Sequence, residues 1–130
     1  MTIGPFARDA DTEEFLNGTA AGEFLLRHCP DGHFSEPAAA SCTTCGSPDV
    51  EYKAASGHAR LVSWAVTHGK ADDGSPALSV LAIGELEEGP WWWSCIPGAD
   101  PDGLSVGAPL SVDFERAGKE HEALPVFRLV

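Results

Sequence analysis

A chain of 130 residues has room for one modest core, or for a small core with a stapled appendage. Eight basic residues against twenty acidic ones leave a net charge of −12, which argues against nucleic acid or an anionic membrane as partner. No stretch approaches the roughly eighteen successive apolar residues of a membrane span, and residues 1–20 lack the basic start and apolar run of a secretory signal. A cytoplasmic setting is therefore expected. Acidic side chains recur at Asp9, Asp11, Glu13, Glu14 and Glu23, then at Glu85, Glu87, Glu88, Asp100 and Asp102. They read either as a solvated face or as a surface matched to a positive partner.

The first element is a short helix that begins at Thr12-Glu13-Glu14-Phe15-Leu16. Thr12 or Asp11 can cap it, the early carboxylates suit its positive end, and Asn17-Gly18 is expected to stop it. Glu23 to His28 then reads as a strand running into Cys29. Two short turns follow, Cys29-Pro30-Asp31-Gly32-His33 and Cys42-Thr43-Thr44-Cys45-Gly46, joined through Phe34 to Pro37 and an alanine-rich link. The second turn is the stronger metal signal. Its Cys-x-x-Cys spacing aims two sulfurs at one point, and Gly46 relieves the backbone behind them. Cys29, His33, Cys42 and Cys45 thus form a candidate Zn2+ site of three thiolates and one imidazole, the closed set of a structural metal. Two disulfides are the alternative on cysteine count alone, but the spacing and the missing signal favour a reducing compartment with metal or free thiols.

A strand from Val50 to Ala54 completes a unit with too few apolar side chains to hold itself. From Gly57 the pattern becomes strand after strand: Ala59–His68, Ala77–Glu85, Trp91–Ile96, Leu110–Glu115 and Leu124–Val130. Asp72 to Pro76, Glu87 to Pro90 and the loop 97–107 supply the connections. About five strands in so short a segment point to a small barrel, which leaves no long exposed edge. Gly57 and Gly84 are places for a strand to bend. The expected division is an N-terminal segment with the helix at 1–22, a zinc ribbon at 23–55 and a barrel at 56–130.

No catalytic constellation is visible. Four protein ligands leave a metal no open position, and Glu36 is merely the nearest carboxylate in sequence. A redox role for the Cys-x-x-Cys lacks its βαβ setting. His28 is a competing imidazole, but on a strand it points away from Cys29. His58 and His68 flank the first barrel strand with no nucleophile or carboxylate placed beside them by motif. Cys95 is expected as a small buried or interface hydrophobe. Lys53, Arg60, Lys70 and Arg116 are the few cations that could meet a phosphate group, and they do not cluster in sequence. In Trp91-Trp92-Trp93 the outer two rings share one face of a strand and Trp92 takes the other. They read as core on one side and cover on the other, or as an anchor for a partner.

Taken in order, these pieces resemble the DUF35 family. The resemblance covers nearly the whole chain and rests on the helix with Phe15, on Leu25-Leu26-Arg27-His28-Cys29 and on Cys42-Thr43-Thr44-Cys45-Gly46. It continues through Gly57 to Trp64, Gly84 to Pro90, Leu104 to Phe114 and Leu124 to Arg128. It implies a mostly β chain: a short helix and a rubredoxin-like zinc ribbon, then a five-stranded OB-fold barrel. It also implies a non-catalytic accessory subunit of a thiolase-like acyl-CoA enzyme, which scaffolds the complex and assists access of a CoA-linked substrate. The implied partners are a thiolase-like, acyltransferase, aldolase or MaoC-like hydratase subunit, with a CoA thioester as the implied small-molecule ligand; a stand-alone acyl-CoA or acyl-thioester binding module is the alternative. The chain departs from the family at the first turn, where Gly32 stands in the place of the second cysteine and His33 follows it. Either His33 replaces the lost thiolate or the site has decayed.

Overall fold

The computed structural model describes residues 9–10, 12–116 and 121–130. Helix α1 spans Glu13–Ala20 and is followed by three short strands, β1 (Leu25–His28), β2 (Phe34–Ser35) and β3 (Glu51–Ala54). These form an antiparallel sheet in the order β2-β1-β3. The second sheet contains β4 (His58–Lys70), β5 (Pro76–Leu86), β6 (Trp91–Cys95), β7 (Pro109–Glu115) and β8 (Leu124–Leu129), in the order β6-β5-β4-β7-β8. All its pairings are antiparallel. The sheet curls until its edge strands meet, and the Ser94 hydroxyl of β6 donates to the Pro125 carbonyl of β8 at 2.6 Å. The chain is therefore mostly β, with one N-terminal helix and a nearly closed five-stranded barrel of OB type. No helix of the described residues is long and apolar enough to cross a membrane.

The helix differs from expectation at both ends. It runs through Asn17-Gly18 to Ala20. Gly18 is needed for space: a Cβ there would lie 2.6 Å from Leu25 Cδ1, so the helix can meet β1 closely only at a glycine. At the start, Thr12 makes no side-chain cap bond to the helix. It pairs back to Asp9 instead, with Asp9 N–H donating to Thr12 Oγ1 and Thr12 N–H to Asp9 Oδ1, both at 3.0 Å. This reciprocal bracket sits one turn upstream of the expected cap. Asp11 lies outside the described residues.

Barrel closure has a local cause. The β4–β5 register slips between Leu61 and Ser63, a bulge that bends β4 next to Gly84, which pairs with Leu61. The ring of Phe127, fully buried, presses on Gly84, and a Cβ there would approach Phe127 Cζ to 2.6 Å. Around it Ala59, Leu61, Val80, Ala82, Leu86 and Leu110 form the core. Phe24 and Leu26 belong to the same cluster, so the three-stranded sheet shares its apolar face with the barrel. Phe15, Phe24 and Trp92 pack as three mutual ring contacts, at centroid separations of 6.0, 6.2 and 5.2 Å, where helix, small sheet and barrel meet.

A cysteine–histidine cluster and two apolar surfaces

β1 delivers Cys29 into a tight turn: Gly32 N–H donates to the Cys29 carbonyl and Cys29 N–H to the His33 carbonyl, each at 3.0 Å. The second turn folds in the same manner, with Gly46 N–H on the Cys42 carbonyl at 2.8 Å. Gly32 and Gly46 both adopt positive φ, at 90° and 75°, where a side chain would be strained. The two turns face each other. The ligand atoms of Cys29, His33, Cys42 and Cys45 all lie within 4.8 Å of one another. Cys29 Sγ stands 3.8 Å from Cys45 Sγ and 3.5 Å from His33 Nδ1.

These spacings suit a metal. With Zn–S near 2.3 Å and Zn–N near 2.0–2.1 Å, a tetrahedral site puts sulfurs about 3.8 Å apart and sulfur from nitrogen about 3.6 Å. The cluster is therefore able to coordinate a metal ion, and its soft donor set fits zinc. The turn also prepares a thiolate. The N–H groups of Cys45 and Thr44 both reach Cys42 Sγ at 3.4 Å. Chiefly through the Cys45 N–H, then against some burial through that of Thr44, the Cys42 thiol is lowered to about 6. Cys45 is raised instead: the Ser47 N–H favours its thiolate, but the neighbouring Cys42 sulfur, burial and Cys29 outweigh it. Of the two sulfurs in this turn, Cys42 thus carries charge more readily and Cys45 holds its proton longer.

The other candidates fall elsewhere. His28 packs edge-on against Phe34 at 4.8 Å, and neither it nor Glu36 belongs to the cluster. His58 and His68 lie ten positions apart along β4, both exposed. Cys95 is buried, and that burial pushes its thiol up. Lys53 sits over the Phe34 ring, Arg60 donates to the Gly107 carbonyl and Arg116 to that of His121. Lys70 ends β4, so the four cations are spread over the chain.

Trp91 and Trp93 project outward, 52% and 63% exposed, while Trp92 turns in toward Phe15 and Phe24. The indole N–H of Trp91 donates to Glu85 Oε2 at 3.3 Å. Trp93 stands across from Ile83 of β5, and Trp91 across from Glu85. On the inner side, a cleft of about 390 Å³ opens between α1, the small sheet and the barrel seam, walled by Phe15, Pro37, Tyr52, Trp92, Leu124 and Pro125. Tyr52 was not singled out by the sequence; it is pinned by its hydroxyl to the Pro37 carbonyl at 3.0 Å and covered by Arg27, 3.9 Å from its ring centre.

The chain has the fold of the DUF35 family, an OB-type barrel with a Cys/His cluster. It superposes on the solved structure of an Ltp2-ChsH2(DUF35) aldolase with a TM-score of 0.78 and 26% identity, covering 95% of this chain and 98% of that one. A DUF35 protein of unknown function from Sulfolobus solfataricus shares the fold at a TM-score of 0.62 and 16% identity, over 93% of this chain and 86% of that one. No family model matches the chain. Among curated proteins it is similar to the 3-oxo-4,17-pregnadiene-20-carboxyl-CoA hydratase alpha subunit of Mycobacterium tuberculosis, 29% identical over 80% of this chain and 33% of that protein. It is also similar to a probable enoyl-CoA hydratase alpha subunit of Thermomonospora curvata, 33% identical over 71% of this chain and 28% of that protein. The chain thus spans about a third of the length of the curated relatives it matches.

Proposed function

We propose that this chain is a DUF35 protein acting as a non-catalytic accessory module of an acyl-CoA enzyme, cytoplasmic, with a rubredoxin-like zinc ribbon held by Cys29, His33, Cys42 and Cys45. The observation that carries the proposal is the likeness, over nearly the whole chain, to the DUF35 aldolase structure. The hydratase alpha subunits that contain a similar stretch are named for CoA-thioester substrates, which supports the acyl-CoA part of the reading. The zinc, when bound, supplies a four-coordinate staple and no open position for water or substrate. What remains for the surface is recognition. Trp91 and Trp93, two exposed rings on an acidic barrel, are suited to anchor a hydratase, aldolase, acyltransferase or thiolase-like subunit that brings the reacting residues.

Co-expression with candidate acyl-CoA enzyme subunits and recovery through a tag tests this reading. A stable complex is expected, and Trp93→Ala, followed by Trp91→Ala, should weaken it by more than about 2 kcal/mol if these rings are the anchor. Their exposure predicts that both variants keep the melting temperature of the parent chain. Recovery of the chain alone from every pairing would sink the proposal.

The apolar cleft favours a second reading, a stand-alone module for an acyl thioester, because a volume of about 390 Å³ with a few polar groups at its rim is in the range of ligand sites. Calorimetry of the isolated chain with CoA thioesters separates the two. Tight binding without a partner supports the second, and its absence supports the first.

A further inference from the structure

On the barrel side of the cysteine–histidine cluster lies a second cleft of about 390 Å³, lined by His33, Thr43 and Thr44 from the small sheet's loops and by Glu88 from the β5–β6 turn. Glu88 is bound at one oxygen only. Its Oε2 accepts from Ser56 N–H at 2.8 Å, in the link between the two sheets, and Glu87 accepts from the Ser56 hydroxyl at 3.2 Å. Its other oxygen, Oε1, is buried and has no hydrogen-bond partner among the described residues. A carboxylate oxygen withdrawn from water and left unpaired is costly. It calls for a donor.

The donors at this cleft are few. The Thr43 hydroxyl is already 3.2 Å from Ser35 Oγ, and the N–H groups of Thr44 and Cys45 are given to Cys42 Sγ. His33 turns Nδ1 toward Cys29 Sγ, at 3.5 Å, so Nε2 is the ring nitrogen that the cluster does not use. A histidine that ligates a metal through one nitrogen carries its proton on the other, and that N–H takes an acceptor which fixes the ring and strengthens the ligand. We infer that Glu88 is this acceptor: a positioning residue for His33 that holds the imidazole toward the metal across the cleft through one bridging water. The inference rests on the zinc reading above. It explains how a histidine can serve where a cysteine would need no such support. It also gives the barrel a hand in the metal site, since one carboxylate grips the inter-sheet link with Oε2 and steadies the ligand with Oε1.

Glu88→Gln is the decisive substitution. The Ser56 N–H fixes the amide oxygen in the place of Oε2, which puts the NH2 group where Oε1 was, so the link is kept and the acceptor for His33 is removed. Zinc affinity of the full chain, measured by chelator competition, should fall at least tenfold in Glu88→Gln. The zinc-loaded parent chain should show a slowly exchanging His33 Nε2–H resonance that the variant lacks. In a His33→Ala background the same change should cost nothing further, which separates ligand support from general destabilisation. Equal zinc affinity and an unchanged imidazole signal in Glu88→Gln would overturn the inference while leaving the zinc site standing. If Thr44→Val, rather than His33→Ala, abolishes the effect of Glu88→Gln, the carboxylate serves the Thr44 hydroxyl and the inference is wrong. Failure of the parent chain to take up zinc removes the zinc reading and this inference together.

Discussion

In the barrel, Ala59, Leu61, Val80, Ala82, Leu86, Leu110, Val126 and Phe127 are buried strand residues; in the three-stranded sheet Leu26 is the one apolar strand residue that is. All of β3 is exposed or half-buried. The two sheets are therefore stabilised differently. The barrel is supported by side chains that exclude water from one another, whereas the small sheet has a cluster of sulfurs at one end and the Phe15–Phe24–Trp92 contact at the other. A region of the second kind can keep its shape only while both ends are held. On the zinc reading proposed above, its stability would depend on metal supply in a way the barrel's does not.

The largest break in this comparison comes from the cluster itself. Cys42→Ala removes the thiolate that the turn prepares, and the small sheet should lose its amide protection, with a loss of several kcal/mol expected when zinc is bound. Hydrogen exchange with and without a chelator reads this region by region. Protection should vanish from residues 25–54 and persist in β5 and β7. Collapse of the barrel at the same chelator concentration would show that the two regions are one unit after all. Metal analysis of His33→Ala belongs to the same experiment, and unchanged zinc content would take His33 out of the ligand set.

The barrel is broken from the opposite side. Gly84→Ala forces a methyl group against Phe127, because its Cβ would come to 2.6 Å from Cζ and to 3.1 and 3.2 Å from the two Cε atoms of that fully buried ring. A cost of about 1–3 kcal/mol is expected, with zinc content unaltered. Phe127→Leu in the Gly84→Ala background should recover part of that loss by vacating the contact, whereas Phe127→Leu alone should destabilise. Strictly additive losses in urea denaturation would refute the contact as the cause.

The sequence was informative where one local rule sufficed. Strand runs and their turns located the five barrel strands to within a few residues, and the Cys-x-x-Cys-Gly loop marked one half of the cluster. Period-two alternation also separated Trp92 from its neighbours, but it did not say which face was outward, since both faces are tryptophan. The helix end was misread because Asn-Gly is a stop signal only when no tertiary contact requires the glycine, and Leu25 does. Glu88 carried no signal at all. It is one acidic residue in an ordinary Glu-Glu-Gly-Pro turn, and what singles it out is the folding of that turn against His33 and Ser56.

The smallest effect lies on the far side of the barrel, where neither metal nor core is involved. Asp113 accepts from the Phe114 N–H at 2.8 Å and from Arg128 Nε at 3.2 Å. The first of these, then the second, holds its carboxyl below the usual range. A depressed folded-state value means that the contribution is fully present above the unfolded carboxyl value of about 3.9 and is lost as pH falls through the lower folded value. Both partners are largely exposed, with side chains 54% and 41% accessible, so solvent screens the pair and Asp113→Asn should cost under about 1 kcal/mol at neutral pH. The gap between the variant and the parent chain should narrow as the solution is acidified below the ordinary carboxylate range and shrink with added salt. A gap that stayed constant under both treatments would mean that Asp113 acts by packing and not by charge, which its exposure argues against.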